Sequence, residues 1–259
     1  MSSPEVVVHR DADLLAKAIA ARVVTRLVDA QAARGSASVV LTGGRLGTAV
    51  LTELRTNPAR DAVDWPRVDV WWGDERFVPA DDPERNDRQA REALLDSIAL
   101  SPERVHPFPA SDGQWGNDPE AAAAAYAREL AAAARPEDHG DVPRFDVLML
   151  GVGEEGHTAS IFPESPAAYD ERSVVAVHGS PKPPPIRLTL TLRAINTATE
   201  AWLATTGAEK AAAVAMALGG AGAVQVPAAG VRARARTLWL LDRAAASRLP
   251  ASVVRLPLA

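Results

Sequence analysis

The stretch Phe145-Asp146-Val147-Leu148-Met149-Leu150-Gly151-Val152-Gly153 decides the fold class. Phe145 to Leu150 is the clearest buried strand in the chain, and the glycines that follow it form a loop. Working outward, the short apolar run Ser38 to Leu41 ends in Thr42-Gly43-Gly44, and Val68 to Trp72 ends in Gly73-Asp74-Glu75-Arg76. Further strands are predicted around Ser173 to Val177, Arg187 to Leu190, Ala201 to Thr205 and Thr237 to Leu241. Helices are predicted between them. Leu14, Leu15, Ala18, Ile19, Val23 and Leu27 give helical spacing over Asp11 to Arg34, with Gly35 as the stop. Others are predicted over Leu46 to Leu54, Asp87 to Ser97, Glu120 to Ala134 and Ala208 to Leu218. Strands alternating with helices imply an α/β fold, with a mostly parallel sheet covered by helices on both faces. No internal repeat or dividing linker is visible, so residues 1–259 read as a single domain. The run Pro181-Lys182-Pro183-Pro184-Pro185 is too short to separate domains and reads as a stiff loop.

Composition narrows the function. Apolar residues make up 47% of the chain, enough for a substantial core, and the formal net charge is −5. No basic stripe offsets that charge, so a general nucleic-acid partner is not expected. The charge does not exclude an anionic small molecule, because a pocket needs only a few local cations. There are no cysteines, which removes disulfides and thiolate chemistry. The opening Met1-Ser2-Ser3-Pro4-Glu5 has no basic segment leading into an apolar run, so no signal peptide is expected. No apolar run reaches the roughly 20 residues of a spanning helix. The expected location is cytoplasmic, with no membrane partner, as a monomer or weak homo-oligomer.

In open α/β sheets ligands collect outside the carboxyl ends of the strands. Three strand ends and one stiff loop carry residues of chemical interest. Thr42-Gly43-Gly44-Arg45-Leu46-Gly47 joins a strand to a helix, where bare backbone and unpaired N–H groups suit a phosphate; a plain tight turn is the alternative. Gly73-Asp74-Glu75-Arg76, with Asn86 beyond it, places an arginine suited to bidentate phosphate or carboxylate binding beside acids that could accept sugar hydroxyls or brace it. A surface ion-pair network is the alternative there. Gly151-Val152-Gly153-Glu154-Glu155-Gly156-His157 contains a literal G-x-G-x-x-G. A dinucleotide site is not expected, because Pro163 limits any following helix to about a turn. What remains is a histidine on a glycine-rich loop beside Glu154 and Glu155, able to take a proton from water and return it to a leaving group; a hydrogen-bonded structural histidine is the alternative. Either acid could orient it. Finally, prolines stiffen the loop around Lys182, one of only three lysines (Lys17, Lys182, Lys210), and so could hold it as a point charge for phosphate; a solvated lysine in a turn is the alternative.

Other chemistries lack their residues. No pair among His9, His106, His139, His157 and His178 has zinc-helix spacing, and neither a G-x-S-x-G elbow nor a P-loop is present. No metal site is expected.

Taken in order, these segments resemble the 6-phosphogluconolactonase family. The likeness runs through Gly73-Asp74-Glu75-Arg76 with Val78-Pro79 and Asn86, then Leu150-Gly151-Val152-Gly153 to Gly156-His157-Thr158-Ala159-Ser160-Ile161-Phe162-Pro163. It continues through Ser180-Pro181-Lys182-Pro183-Pro184, Arg187-Leu188-Thr189-Leu190-Thr191-Leu192, Gly207-Ala208-Glu209-Lys210 and Pro227-Ala228-Ala229. The resemblance implies a Rossmann-like fold shared with glucosamine-6-phosphate deaminases, and hydrolysis of 6-phospho-D-glucono-1,5-lactone without a cofactor. By matching position, His157 is the expected base, Glu155 its acidic neighbour, and Arg76 and Lys182 substrate or phosphate contacts. Gly43, Gly44, Arg45, Asp74 and Asn86 complete the expected binding set. Three departures stand out: the first glycine loop continues as Arg45-Leu46-Gly47, Glu155 replaces a frequent aspartate, and Gly230 replaces a frequent arginine. Arg232, Arg234 and Arg45 are the candidate substitutes for that arginine. Two rival functions share this pattern: an amino-sugar-phosphate isomerase/deaminase, and a non-catalytic sugar-phosphate sensor. Thr158-Ala159-Ser160-Ile161-Phe162 after the Gly-His favours the lactonase over the first, and the retained His157 with its acid weighs against the second.

Overall fold

The computed structural model describes residues 4–138, 140–250 and 253; His139 lies outside them. The chain runs β1 (Glu5–His9), α1 (Ala12–Arg34), β2 (Ala37–Leu41), α2 (Gly44–Thr56), β3 (Val68–Trp72) and β4 (Asp74–Arg76). It continues α3 (Asn86–Ala93), α4 (Pro119–Ala133), β5 (Val147–Gly151), β6 (Val174–Val177), β7 (Arg187–Leu190), α5 (Leu192–Ile195), β8 (Glu200–Thr205), α6 (Ala211–Leu218) and β9 (Arg236–Asp242). Local chemistry sets these limits. Asp11 caps α1 by accepting from the Leu14 N–H at 2.9 Å, and Gly35 ends it in the left-handed region at φ 77°. Asp118 caps α4 in the same way through the Ala121 N–H at 3.0 Å.

Six strands form one parallel sheet in the order β1-β9-β8-β5-β2-β3. Its central strand β5 is buried from Val147 to Leu150, as the apolar run requires. From β2 the chain steps outward to β3, then returns to place β5 on the other side of β2, with Val39 opposite Val147. The switch point of the sheet therefore lies between the carboxyl ends of β2 and β5, where both glycine-rich loops begin. Helices α1 and α2 pack against each other over the sheet. From α4, Tyr126 accepts the Trp72 N–H and donates to the His106 carbonyl, packing against Trp71 of β3.

Three segments depart from the sequence reading. Residues 74–76 are a strand of their own, and with β7 and β6 they form a separate antiparallel sheet in the order β4-β7-β6. Asp74-Glu75-Arg76 has no apolar alternation, so its strand character comes from pairing with Thr189, Leu188 and Arg187. The helix expected over Asp87 to Ser97 starts one residue earlier, at Asn86, and breaks into a 3-10 turn at Leu95–Ser97. Strand β1 was not anticipated; it extends the main sheet beside β9.

Candidate active site

The carboxyl ends of β2, β5 and β8, together with β4 and the loop before β7, enclose one cleft of about 410 Å³. Gly43, Gly44, Arg45, Asp74, Arg76, Asn86, His157 and Lys182 all line it. Eight of the nine residues expected from the sequence therefore meet in one place, and the ninth, Glu155, stands directly behind His157.

His157 sits on the loop after β5, which closes on itself through the Gly153 N–H donating to the His157 carbonyl at 2.9 Å. Thr158 Oγ1 ties the same loop to the Gly151 carbonyl at 3.0 Å. No helix opens after these glycines; the segment is turns and bridges as far as Phe162. The imidazole packs against Phe162 with ring centroids 4.7 Å apart, and its side chain is 18% exposed. Nδ1 lies 2.9 Å from Glu155 Oε1, a close polar contact whose angle falls short of an aligned hydrogen bond. Glu154 faces elsewhere, toward Lys210 Nζ at 3.2 Å. Burial holds the His157 pKa below its ordinary value, helped by Lys182 and opposed by Glu155. The ring is therefore predominantly neutral at pH 7, with Nε2 left as the free nitrogen to take a proton. Burial alone would raise the Glu155 carboxyl, but a backbone N–H, His157 and Lys182 outweigh it and hold the group below the usual glutamate range.

Across the cleft, Asp74 Oδ2 accepts from Ser160 Oγ at 2.7 Å, linking β4 to the histidine loop. The turn that delivers Ser160 places Ala159 at φ 48°, a conformation that costs a non-glycine residue about 1–3 kcal/mol. Arg76 Nη1 donates to Asn86 Oδ1 at 2.7 Å and to the Glu84 carbonyl at 2.6 Å. Asn86 Nδ2 in turn donates to the Asp74 carbonyl at 2.9 Å. Glu75 points away from the cleft and is fully buried, so the strand's alternation sends Asp74 and Arg76 one way and Glu75 the other.

The sequence reading missed part of the cationic lining. Arg187 from β7 reaches the cleft while its Nε and Nη2 donate to the carbonyls of Pro184, Lys182 and Pro183 at 2.8–3.0 Å. The prolines thus hold Lys182 with the help of a buried guanidinium. Lys210 enters from the start of α6, beside Thr205 and Thr206. Its signal was available: it is one of three lysines and follows the carboxyl end of β8. Five cationic side chains face two carboxylates, Asp74 and Glu209, in this lining.

The arginine absent at position 230 is not replaced by its chain neighbours. A Cβ on Gly230 would stand 2.7 Å from both Ala223 and Leu192, so this backbone has no room for a larger residue. Arg232 Nη1 donates to the Val231 carbonyl and Arg234 Nη2 to the Asp138 carbonyl, and neither lines the cleft. Of the three substitutes considered, only Arg45 does. No cluster of histidine and acidic side chains suited to a metal ion occurs among the described residues. Among those residues no helix is long and apolar enough to cross a membrane.

Fold and site together define a Rossmann-like α/β protein with an acid-backed imidazole facing a cationic cleft at its switch point. The chain belongs to the glucosamine-6-phosphate isomerase/6-phosphogluconolactonase family, whose family model matches residues 10–239. It is 64% identical over 252 residues to the 6-phosphogluconolactonase of Streptomyces coelicolor, across 97% of each chain. Among solved structures it is similar to 6-phosphogluconolactonase from Trypanosoma brucei, with a TM-score of 0.83 and 29% identity over 96% of this chain and 100% of that one. A monomeric glucosamine-6-phosphate deaminase shares the fold, with a TM-score of 0.74 at 21% identity over 94% of this chain and 99% of the other.

Proposed function

We propose that this chain hydrolyses 6-phospho-D-glucono-1,5-lactone to 6-phospho-D-gluconate, with His157 as the general base. The observation that carries the reading is the His157–Glu155 contact of 2.9 Å, on a loop facing a cleft whose cations outnumber its acids. His157 Nε2 takes a proton from water as the water oxygen bonds to the lactone carbonyl carbon. Glu155 stabilises the imidazolium that forms. The tetrahedral intermediate collapses, the bond from that carbon to the ring oxygen breaks, and the imidazolium returns its proton to that oxygen. The products are a carboxylic acid, which ionises, and a free hydroxyl. Proton transfer of this kind contributes about 10²–10⁴-fold.

The phosphate end falls to Gly43 and Gly44, which line the cleft at the start of α2 where a helix offers N–H groups to an anion, together with Arg45, Arg187 and Lys210. Arg76, Asn86 and Asp74 hold the sugar between the two ends, and Lys182 adds charge beside Glu155 at 3.7 Å. Gripping the phosphate away from the reacting carbon orients the ring, an entropic advantage that the chemistry then uses.

The deciding experiment generates the lactone freshly and follows acid release with and without the protein. Release well above the spontaneous background is expected; release equal to background contradicts the reading. A glucosamine-6-phosphate deaminase-like activity would instead liberate ammonia from the amino sugar phosphate, and a sensor would bind without turnover.

A further inference from the structure

Helix α3 begins without a side-chain cap of its own: Arg85, at the cap position, supplies none. Its first N–H groups are instead satisfied from a distant strand. Glu75 Oε1 accepts from the Asn86 N–H at 2.7 Å, and Oε2 from the Asp87 N–H at 2.9 Å. Oε1 also accepts the N–H of Arg76 at 2.8 Å, and the Arg85 guanidinium stands 3.8 Å from Oε2. A carboxylate at a helix start satisfies orphan donors and meets the positive end of the helix dipole. The residue held there, Asn86, receives the Arg76 guanidinium on its Oδ1 and stands against the backbone of Gly43.

We propose that Glu75 is a positioning residue for substrate binding: by capping α3 from β4 it fixes Asn86, and through Asn86 it aims Arg76 into the cleft. Glu75 itself touches no part of the cleft. The charged and titratable groups that face it are Arg85 at the α3 corner, 3.8 Å away, with Arg187 on β7 and Tyr126 on α4 close enough to interact electrostatically. Burial pushes the Glu75 carboxyl up to about 7, against the pull of Arg85 and of the N–H groups of Asp87, Asn86 and Arg76. The positioning form is the ionised one, because a protonated oxygen gives up an acceptor that an N–H needs.

The inference rests on the lactonase reading, which turnover by the parent protein tests separately. Glu75→Gln keeps the shape but turns an NH₂ group toward an N–H. Expected is a rise in KM of about tenfold, with kcat within about threefold of the parent. In the Arg76→Ala background the same substitution should change KM by less than about twofold, since the residue it acts through is gone. The parent's KM should also rise as the pH falls through about 7, and that step should vanish in Glu75→Gln. An unchanged KM in Glu75→Gln, or equal losses in the presence and absence of Arg76, would overturn the proposal. Should Glu75→Gln fail to fold, parent and Arg76→Ala are compared between about pH 6 and 8. A KM step present only in the parent supports the proposal, and the same pH dependence in both overturns it.

Discussion

Gly153 has no side chain because the imidazole of His157 occupies the space: a Cβ there would stand 2.0 Å from Nδ1 and 2.9 Å from Glu155 Oε2. The crowding atoms include the ring itself, so the ring would have to move. Displacements of about 1 Å at a reacting group cost on the order of 100-fold. Gly153→Ala is therefore expected to lower kcat by about that factor, and because Gly153 is itself buried, some loss of thermal stability is expected with it. Steady-state kinetics with a melting curve checks it; unchanged kcat would mean that the ring is not held as described. The residue itself was legible in the sequence as a glycine after a strand. Its reason was not, since contact with a side chain four positions on depends on how the loop closes through Thr158 and the Gly153 N–H.

At the scale of elements, the site is a corner where the start of α2 meets the start of α3. Gly43 lies against Asn86 so closely that a Cβ would fall 1.8 Å from Oδ1, the atom that receives Arg76. Gly43→Ala should displace Asn86 and with it Arg76, raising KM by about tenfold with a smaller effect on kcat. Kinetics equal to the parent's would show that the corner tolerates the methyl group. Strand–helix alternation made most elements readable, α1 almost to the residue, because apolar periodicity and caps are local signals. Strand β4 was not readable as a strand. Its three residues are all charged, and only pairing with β7 makes them one. The second sheet was hidden for the same reason: β6 and β7 look like any buried strands, and nothing local says which sheet they join.

The whole molecule carries a net charge of −5, yet its cleft presents Arg45, Arg76, Lys182, Arg187 and Lys210 against Asp74 and Glu209. A focused positive cleft on an acidic protein attracts an anionic substrate and repels little that is neutral. Screening shortens that reach to about 8–10 Å at physiological salt. kcat/KM is thus expected to fall several-fold between about 10 mM and 0.5 M salt, with kcat nearly constant; salt-independent kcat/KM would show that the cations act only at contact. Three of these five cations, Arg45, Arg76 and Lys182, belonged to the site read from the sequence. Arg187 and Lys210 did not, because each stands on a strand or helix whose approach to the cleft is a property of the assembled sheets. Position 230 shows the converse: the missing arginine stood out against the family pattern, but only the packing of Leu192 and Ala223 shows that the backbone there has no room for a larger residue.

The proposed reaction requires a neutral imidazole to move one proton between water and the ring oxygen, and replacement of His157 by asparagine tests this most directly. Turnover of freshly made lactone by His157→Asn, corrected for spontaneous opening, should fall by about 10²–10⁴-fold with KM within a few-fold of the parent. A variant that turns over at the parent's rate would contradict it.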